Sequence, residues 1–89
     1  MKFGIIGCGM IASKYVEALA EIEGSRLVSA YDADKTRAER FCKESGLSVC
    51  NTIDEMLISD LNAVCICTPS GLHAQQSIEA IEAGKHVVC

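Results

Sequence analysis

Tryptophan is missing from this chain and aromatic residues make up only 4% of it, yet 49% of positions are hydrophobic and 22% charged. That balance excludes a disordered chain and describes a soluble globular α/β protein. Positive charge is also in deficit, with eight Lys and Arg against twelve Asp and Glu for a formal net charge of -4. With no basic patch to offer, nucleic acid and acidic membrane surfaces are excluded as partners. No apolar run approaches the roughly 18 residues that cross a bilayer. The N-terminus enters a strand pattern directly, without the features of a signal peptide, so a cytoplasmic protein is expected. At 89 residues there is room for one domain and none for a second. Linkers, internal repeats and low-complexity segments are lacking as well.

Six cysteines stand at positions 8, 42, 50, 65, 67 and 89, but none forms a C-x-x-C pair. Cys65 and Cys67 lie two apart on an apolar strand pattern, which points both to one face with Ile66 opposite. Free cysteine in such a setting acts as a small buried hydrophobe, so neither a metal site nor disulfides are expected. Cys8 is the exception. It sits in a glycine turn at a helix N-terminus, where thiol pKa values fall, so a reactive group able to block the site is expected there.

The chain is organised around residues 2–12. An apolar run (Phe3, Ile5, Ile6) breaks into Gly7 and Gly9, and helical spacing follows, giving strand, turn and helix with the pattern G-x-G-x-x-A from Gly7 to Ala12. The first glycine permits the tight turn, the second lets a pyrophosphate approach the backbone, and the small third residue lets helix and strand pack closely. Free N–H groups at Gly9, Met10 and Ile11 and the positive end of the helix dipole form an anion site. The next apolar run, residues 27–31, ends in Asp32, where a dinucleotide-binding fold keeps a carboxylate for ribose hydroxyls about 20 residues after its glycines.

Along the rest of the chain, Ile11, Tyr15, Ala18, Leu19 and Ile22 recur as one helical stripe that Gly24 ends. Asp34 caps a second helix with Ala38, Phe41 and Cys42 inward, ending near Gly46. A short strand over 47–50 leads to a capping box at Thr52 and Glu55, which opens a short helix to about Ser59. Residues 61–68 are nearly all apolar, as a central parallel strand requires. Pro69, Ser70 and Gly71 punctuate. A helix over 72–83 follows, with Ala74, Ile78 and Ile81 as its stripe and Gly84 as its stop, and residues 85–89 open another strand. This alternation predicts an α/β fold, a doubly wound parallel sheet of the Rossmann kind that residues 1–89 do not complete. The glycine turn, Asp32 and the 68–73 loop all map to the carboxyl ends of its strands, at the switch point where such sheets bind ligands.

Four stretches together closely resemble one family: Gly-Ile-Ile-Gly-Cys-Gly-Met-Ile-Ala at 4–12, Asp32 after a strand, Cys-Thr-Pro-Ser-Gly-Leu-His at 67–73, and Ala-Gly-Lys-His-Val at 83–87. The whole chain resembles the N-terminal domain of the Gfo/Idh/MocA oxidoreductases, which bind NAD or NADP and transfer hydride to or from a sugar, cyclitol or related polyol. The resemblance assigns Gly7, Cys8, Gly9, Met10 and Ile11 to the pyrophosphate loop and Asp32 to the adenosine ribose. Thr68, Pro69, Ser70 and His73 would line the loop beside the dinucleotide, with Ser70 standing where many members carry Asn. The family's Glu-Lys-Pro motif, whose lysine holds substrate, comes after the strand that begins at Lys85. It lies beyond Cys89, as do the family's catalytic histidine, its C-terminal substrate domain and its usual homo-oligomer interface. No catalytic residue is therefore assigned among the 89.

Alternatives remain at this level. Asp32 can cap the following helix instead of binding ribose. If it binds ribose, its charge favours NAD, whereas Lys35 and Arg37 nearby keep NADP open. His73 is by default a surface histidine, and the resemblance turns it toward cofactor contact or loop orientation. A regulatory module that binds the dinucleotide without turnover is the second functional reading. A methyltransferase is weaker, because such a fold places an acid where Ile6 stands.

Overall fold

The computed structural model describes residues 1–89 except for the side chain of Ser70. Among the described residues the elements are β1 (Lys2–Ile6), α1 (Met10–Ala20), β2 (Arg26–Tyr31), α2 (Lys35–Ser45), β3 (Ser48–Val49), α3 (Ile53–Leu57), β4 (Ala63–Ile66), α4 (Ser70–Glu82) and β5 (His86–Val88). The strands form one parallel sheet in the order β3-β2-β1-β4-β5. The order reverses between β1 and β4, so the doubly wound sheet expected from the alternation of elements is the one that forms.

Short-range chemistry sets the helix ends. Asp34 Oδ1 accepts from the Arg37 N–H at 3.2 Å to start α2, and Gly46 closes it in the left-handed region at φ 71°. Thr52 Oγ1 accepts from the Glu55 N–H at 3.0 Å to start α3. The strands alternate between two cores. Phe3, Ile5, Ala63 and Cys65 pack on one sheet face with Ala12 and Leu19 of α1 and Ala38 and Cys42 of α2. Ile6, Val64 and Ile66 pack on the other face with Met56 and Leu57 of α3 and Ala80 of α4. In β2 the pairing with β1 slips by one residue, Phe3 opposite Leu27 but Gly4 opposite Ser29. The slip leaves Leu27 and Ala30 on the same face and turns Tyr31 to the other.

Two helical stripes differ from the sequence pattern. On α1 the inward residues are Ala12, Tyr15, Val16 and Leu19, while Ile11, Ala18 and Ile22 are exposed. On α4 Ala74 is exposed, Ile78 and Ile81 are 56% and 61% exposed, and Gln76 and Ala80 are buried. The physical reason is close approach. The small Ala12 and Ala80 let their helices settle against the sheet, and that contact sets the helix rotation ahead of the larger isoleucines.

Cys42, Cys50 and Cys65 are buried free thiols, as their apolar settings predict, and Cys67 is half-buried beside Cys65 in the same core, whereas Cys8 is buried against expectation and Cys89 is exposed. Lys85 is used structurally. Its Nζ donates to the carbonyl oxygens of Ser59 and Leu61, each at 2.8 Å, and so ties the start of β5 to the loop that precedes β4.

Candidate functional site

The glycine turn joins β1 to α1 at the switch point. Gly7 holds φ at +97°, and a Cβ there would come within 2.8 Å of the Cys67 carbonyl carbon and 2.9 Å of the Thr68 nitrogen. Its lack of a side chain therefore serves two ends, the turn itself and the close approach of the loop after β4. Gly9 is different. It is the N-cap of α1 with φ -84°, and a Cβ there would meet nothing within 4 Å. The space above it is open to a ligand.

Hydrogen bonding sorts the turn's N–H groups into two sets. Gly7 donates to the Tyr31 carbonyl at 2.7 Å, and Cys8 donates to Asp32 Oδ2 at 2.8 Å. Among the described residues, Gly9, Met10 and Ile11 have no hydrogen-bond partner for theirs, no side chain caps α1, and no acid lies in its first turn. Those donors and the helix dipole are directed toward an incoming anion.

Asp32 sits with its side chain only 10% exposed. Besides the Cys8 bond at Oδ2, its Oδ1 accepts from the Asp34 N–H at 2.8 Å, and the Arg37 guanidinium stands 3.8 Å from Oδ2. The α2 cap is Asp34, so Asp32 is left facing the glycine turn. Each of its oxygens keeps lone-pair capacity for a ligand hydroxyl.

The Cys8 thiol departs from expectation. Its Sγ lies 3.6 Å from the Tyr31 carbonyl, and burial, reinforced by the Asp32 carboxylate, pushes its pKa from 9.0 up to about 12. Desolvation outweighs the helix N-terminus, so the thiol is inert where sequence position suggested a reactive one. Burial likewise pushes Cys65 up to about 12 and Cys67 up to about 11.

A cavity of about 580 Å3 opens at these strand ends. Of the residues singled out in the sequence for the cofactor, Gly7, Cys8, Gly9, Asp32, Arg37, Thr68 and Pro69 line it. Met10, 92% exposed, and Ile11 lie on the outer surface of the first turn of α1. His73 does not line the cavity, and its Nε2 lies on the Thr68 carbonyl, which fits loop orientation. Ser70 belongs to α4 by its backbone, and the contact expected of its hydroxyl lies outside the described residues. Sequence reasoning missed Tyr31, Ala33, Ile53, Leu72 and Gln76, which also line the cavity. Ile53 begins α3 and Leu72 lies in the first turn of α4, a placement a capping box and a proline hint at. Nothing in the Gln75-Gln76 pair distinguishes one glutamine from the other.

The model of the oxidoreductase family with an NAD-binding Rossmann fold matches residues 1–89. This chain belongs to the Gfo/Idh/MocA family. Among curated relatives it is 35% identical over 88 residues to glucose-6-phosphate 3-dehydrogenase of Bacillus subtilis, covering 99% of this chain and 25% of that protein. It is 34% identical over 91 residues to the NADP-dependent scyllo-inositol 2-dehydrogenase of the same organism, covering 100% of this chain and 28% of that protein. The crystal structure of scyllo-inositol dehydrogenase from Lactobacillus casei with NAD(H) and scyllo-inositol superposes with a TM-score of 0.86. That match is at 34% identity over 98% of this chain and 26% of that one. The chain thus spans about a quarter of the length of these Gfo/Idh/MocA relatives.

The residues present fit the family's NAD. The space over Gly9 is open, the N–H groups there are unpartnered, and the Asp32 carboxylate lines the same cavity, a donor and acceptor set that suits a dinucleotide. Among the described residues no helix is long and apolar enough to cross a membrane, and no group of three or more His, Cys, Asp or Glu could hold a metal ion.

Proposed function

We propose that this chain holds the dinucleotide for an oxidoreductase that moves a hydride between a nicotinamide cofactor and a carbon of a sugar, cyclitol or similar polyol. The observation that carries the reading is the pairing of open, donor-lined space over Gly9 with an Asp32 carboxylate fixed at the mouth of the same cavity. In this reading the N–H groups of Gly9, Met10 and Ile11 bind the pyrophosphate, and Asp32 accepts from the adenosine ribose. His73 holds the Thr68 carbonyl and so fixes the loop through Thr68 and Pro69 that forms the opposite wall. The bound nicotinamide supplies the hydride chemistry, and the chain's residues orient it.

Asp32 places negative charge where the 2'-phosphate of NADP would sit, which favours NAD. Arg37, 56% exposed and 3.8 Å from that carboxylate, is the group able to offset a 2'-phosphate. The polyol class rests on the relatives that act on scyllo-inositol and glucose 6-phosphate.

Titration of NADH into the full chain, followed by the cofactor's own fluorescence, tests the proposal. Saturable binding supports it, and the absence of binding at millimolar NADH overturns it. Cofactor reduction assayed with scyllo-inositol and with glucose 6-phosphate then tests the substrate class.

A further inference from the structure

Beyond the glycine turn and Asp32, the cavity has a wall on the α3 and α4 side of the sheet that neither motif explains. That wall is built from Tyr31, Ile53, Pro69 and Leu72, with one buried polar side chain among them, Gln76, which is 8% exposed. Among the described residues the Gln76 amide has a single hydrogen-bond partner, the Thr68 hydroxyl, which donates to Oε1. That bond fixes the rotation of the amide about its terminal torsion and turns Nε2 away from Thr68. No side-chain nitrogen or oxygen of the described residues is both sealed from solvent and unbonded, so Nε2 reaches accessible space, and the residue lines the cavity.

A ligand that fills this part of the cavity displaces the water that Nε2 reaches, and the amide donor is then costly unless the ligand accepts from it. The ligand's parts are apportioned by chemistry. The phosphates belong with the N–H groups over Gly9, and the ribose belongs with Asp32. A flat, largely apolar ring with acceptor nitrogens on its edge suits the remaining wall of Tyr31, Ile53, Leu72 and Gln76. We propose that Gln76 reads the base of the dinucleotide, its Nε2 donating to a ring nitrogen of the adenine. Thr68 is then a positioning residue, since its hydroxyl presets the amide with the donor side facing the ring. The inference rests on the dinucleotide reading of the cavity and deepens it.

The test compares two probes on the full chain. NADH carries adenosine, and reduced nicotinamide mononucleotide carries the same fluorescent ring without it. Gln76→Met, similar in shape and lacking the amide, is expected to weaken NADH binding by about tenfold, the effect of one hydrogen bond lost in a desolvated site. Binding of the mononucleotide should stay unchanged. Gln76→Glu keeps an acceptor for Thr68 but replaces the donor with an acceptor, and it should weaken NADH at least as much. It also decides the matter if the methionine variant does not fold. Unchanged NADH binding in the variants overturns the inference, and so does parallel weakening of both probes, which would reveal loop support alone. Failure of the unsubstituted chain to bind NADH overturns instead the reading on which the inference rests.

Discussion

The carboxylate of Asp32 accepts a hydrogen bond at 2.8 Å from the backbone N–H of Cys8, 24 residues earlier in the chain. One side chain at the end of β2 thus buttresses the turn at the end of β1. Asp32 therefore has two functions that substitutions separate. Asp32→Ala frees the Cys8 and Asp34 N–H groups and should cost about 1.5–3 kcal/mol of stability, the range for hydrogen bonds to a charged group. Thermal or urea unfolding reads that loss, and NADH titration of the folded fraction should show weakened binding. A stability change near zero would mean that the buttress carries nothing.

Cofactor choice should turn on the charge balance between Asp32 and Arg37. Asp32→Ser removes the repulsion of a 2'-phosphate and leaves the guanidinium able to pair with it. The ratio of NADPH to NADH affinity is expected to rise by about tenfold or more, in line with about 1.5–3 kcal/mol for a charged hydrogen bond. Adding Arg37→Ala should reverse most of the gain. Fluorescence titration of both cofactors against the single and double variants measures this directly.

The two glycines of the turn should fail in opposite ways. At Gly9, φ is ordinary and nothing lies within 4 Å of a Cβ, so Gly9→Val should fold with stability changed by no more than about 1 kcal/mol. Its side chain would occupy the space over the donors, and NADH binding should be lost. Gly7→Ala meets the Cys67 backbone at 2.8 Å from a positive-φ position, and a loss of about 2–5 kcal/mol is expected from strain and overpacking together. Melting curves combined with NADH titration distinguish the two.

Alkaline pH should destabilise the fold. Burial raises the thiols of Cys8 and Cys65 from 9.0 to about 12 and that of Cys67 to about 11. Below pH 9 these thiols are protonated in both folded and unfolded chains, and stability is unaffected by them. As pH rises from 9 toward 12, the unfolded chain releases protons that the native fold retains, so stability falls. Urea midpoints at pH 8 and pH 10 should differ in that direction, and Cys65→Ala should reduce the pH slope. Below pH 9, iodoacetamide should label the exposed Cys89 well before Cys8.

Lys85 should act on stability alone. Lys85→Met retains the stem and removes the donors to the Ser59 and Leu61 carbonyls, at an expected cost of about 1–3 kcal/mol. NADH affinity of the folded variant should match that of the unsubstituted chain, because Lys85 does not line the cavity.

What the amino-acid order determined by itself is chemistry that acts within a few residues. The Asp34 and Thr52 caps, the Gly46 stop, the break at Gly7 and the parallel order implied by alternating elements were legible because each arises from neighbours along the chain. The tertiary structure decided what depends on contact between distant segments. It rotated α1 and α4 so that Ala12 and Ala80, rather than Ile11 and Ile81, met the sheet. It buried the Cys8 thiol and reversed the direction of its pKa, closed Asp32 onto the Cys8 N–H, and brought Gln76 rather than Gln75 to the cavity. Periodicity shows that a helix has an apolar side, but the sheet selects the face that packs most closely, and it does so only when the strands have paired.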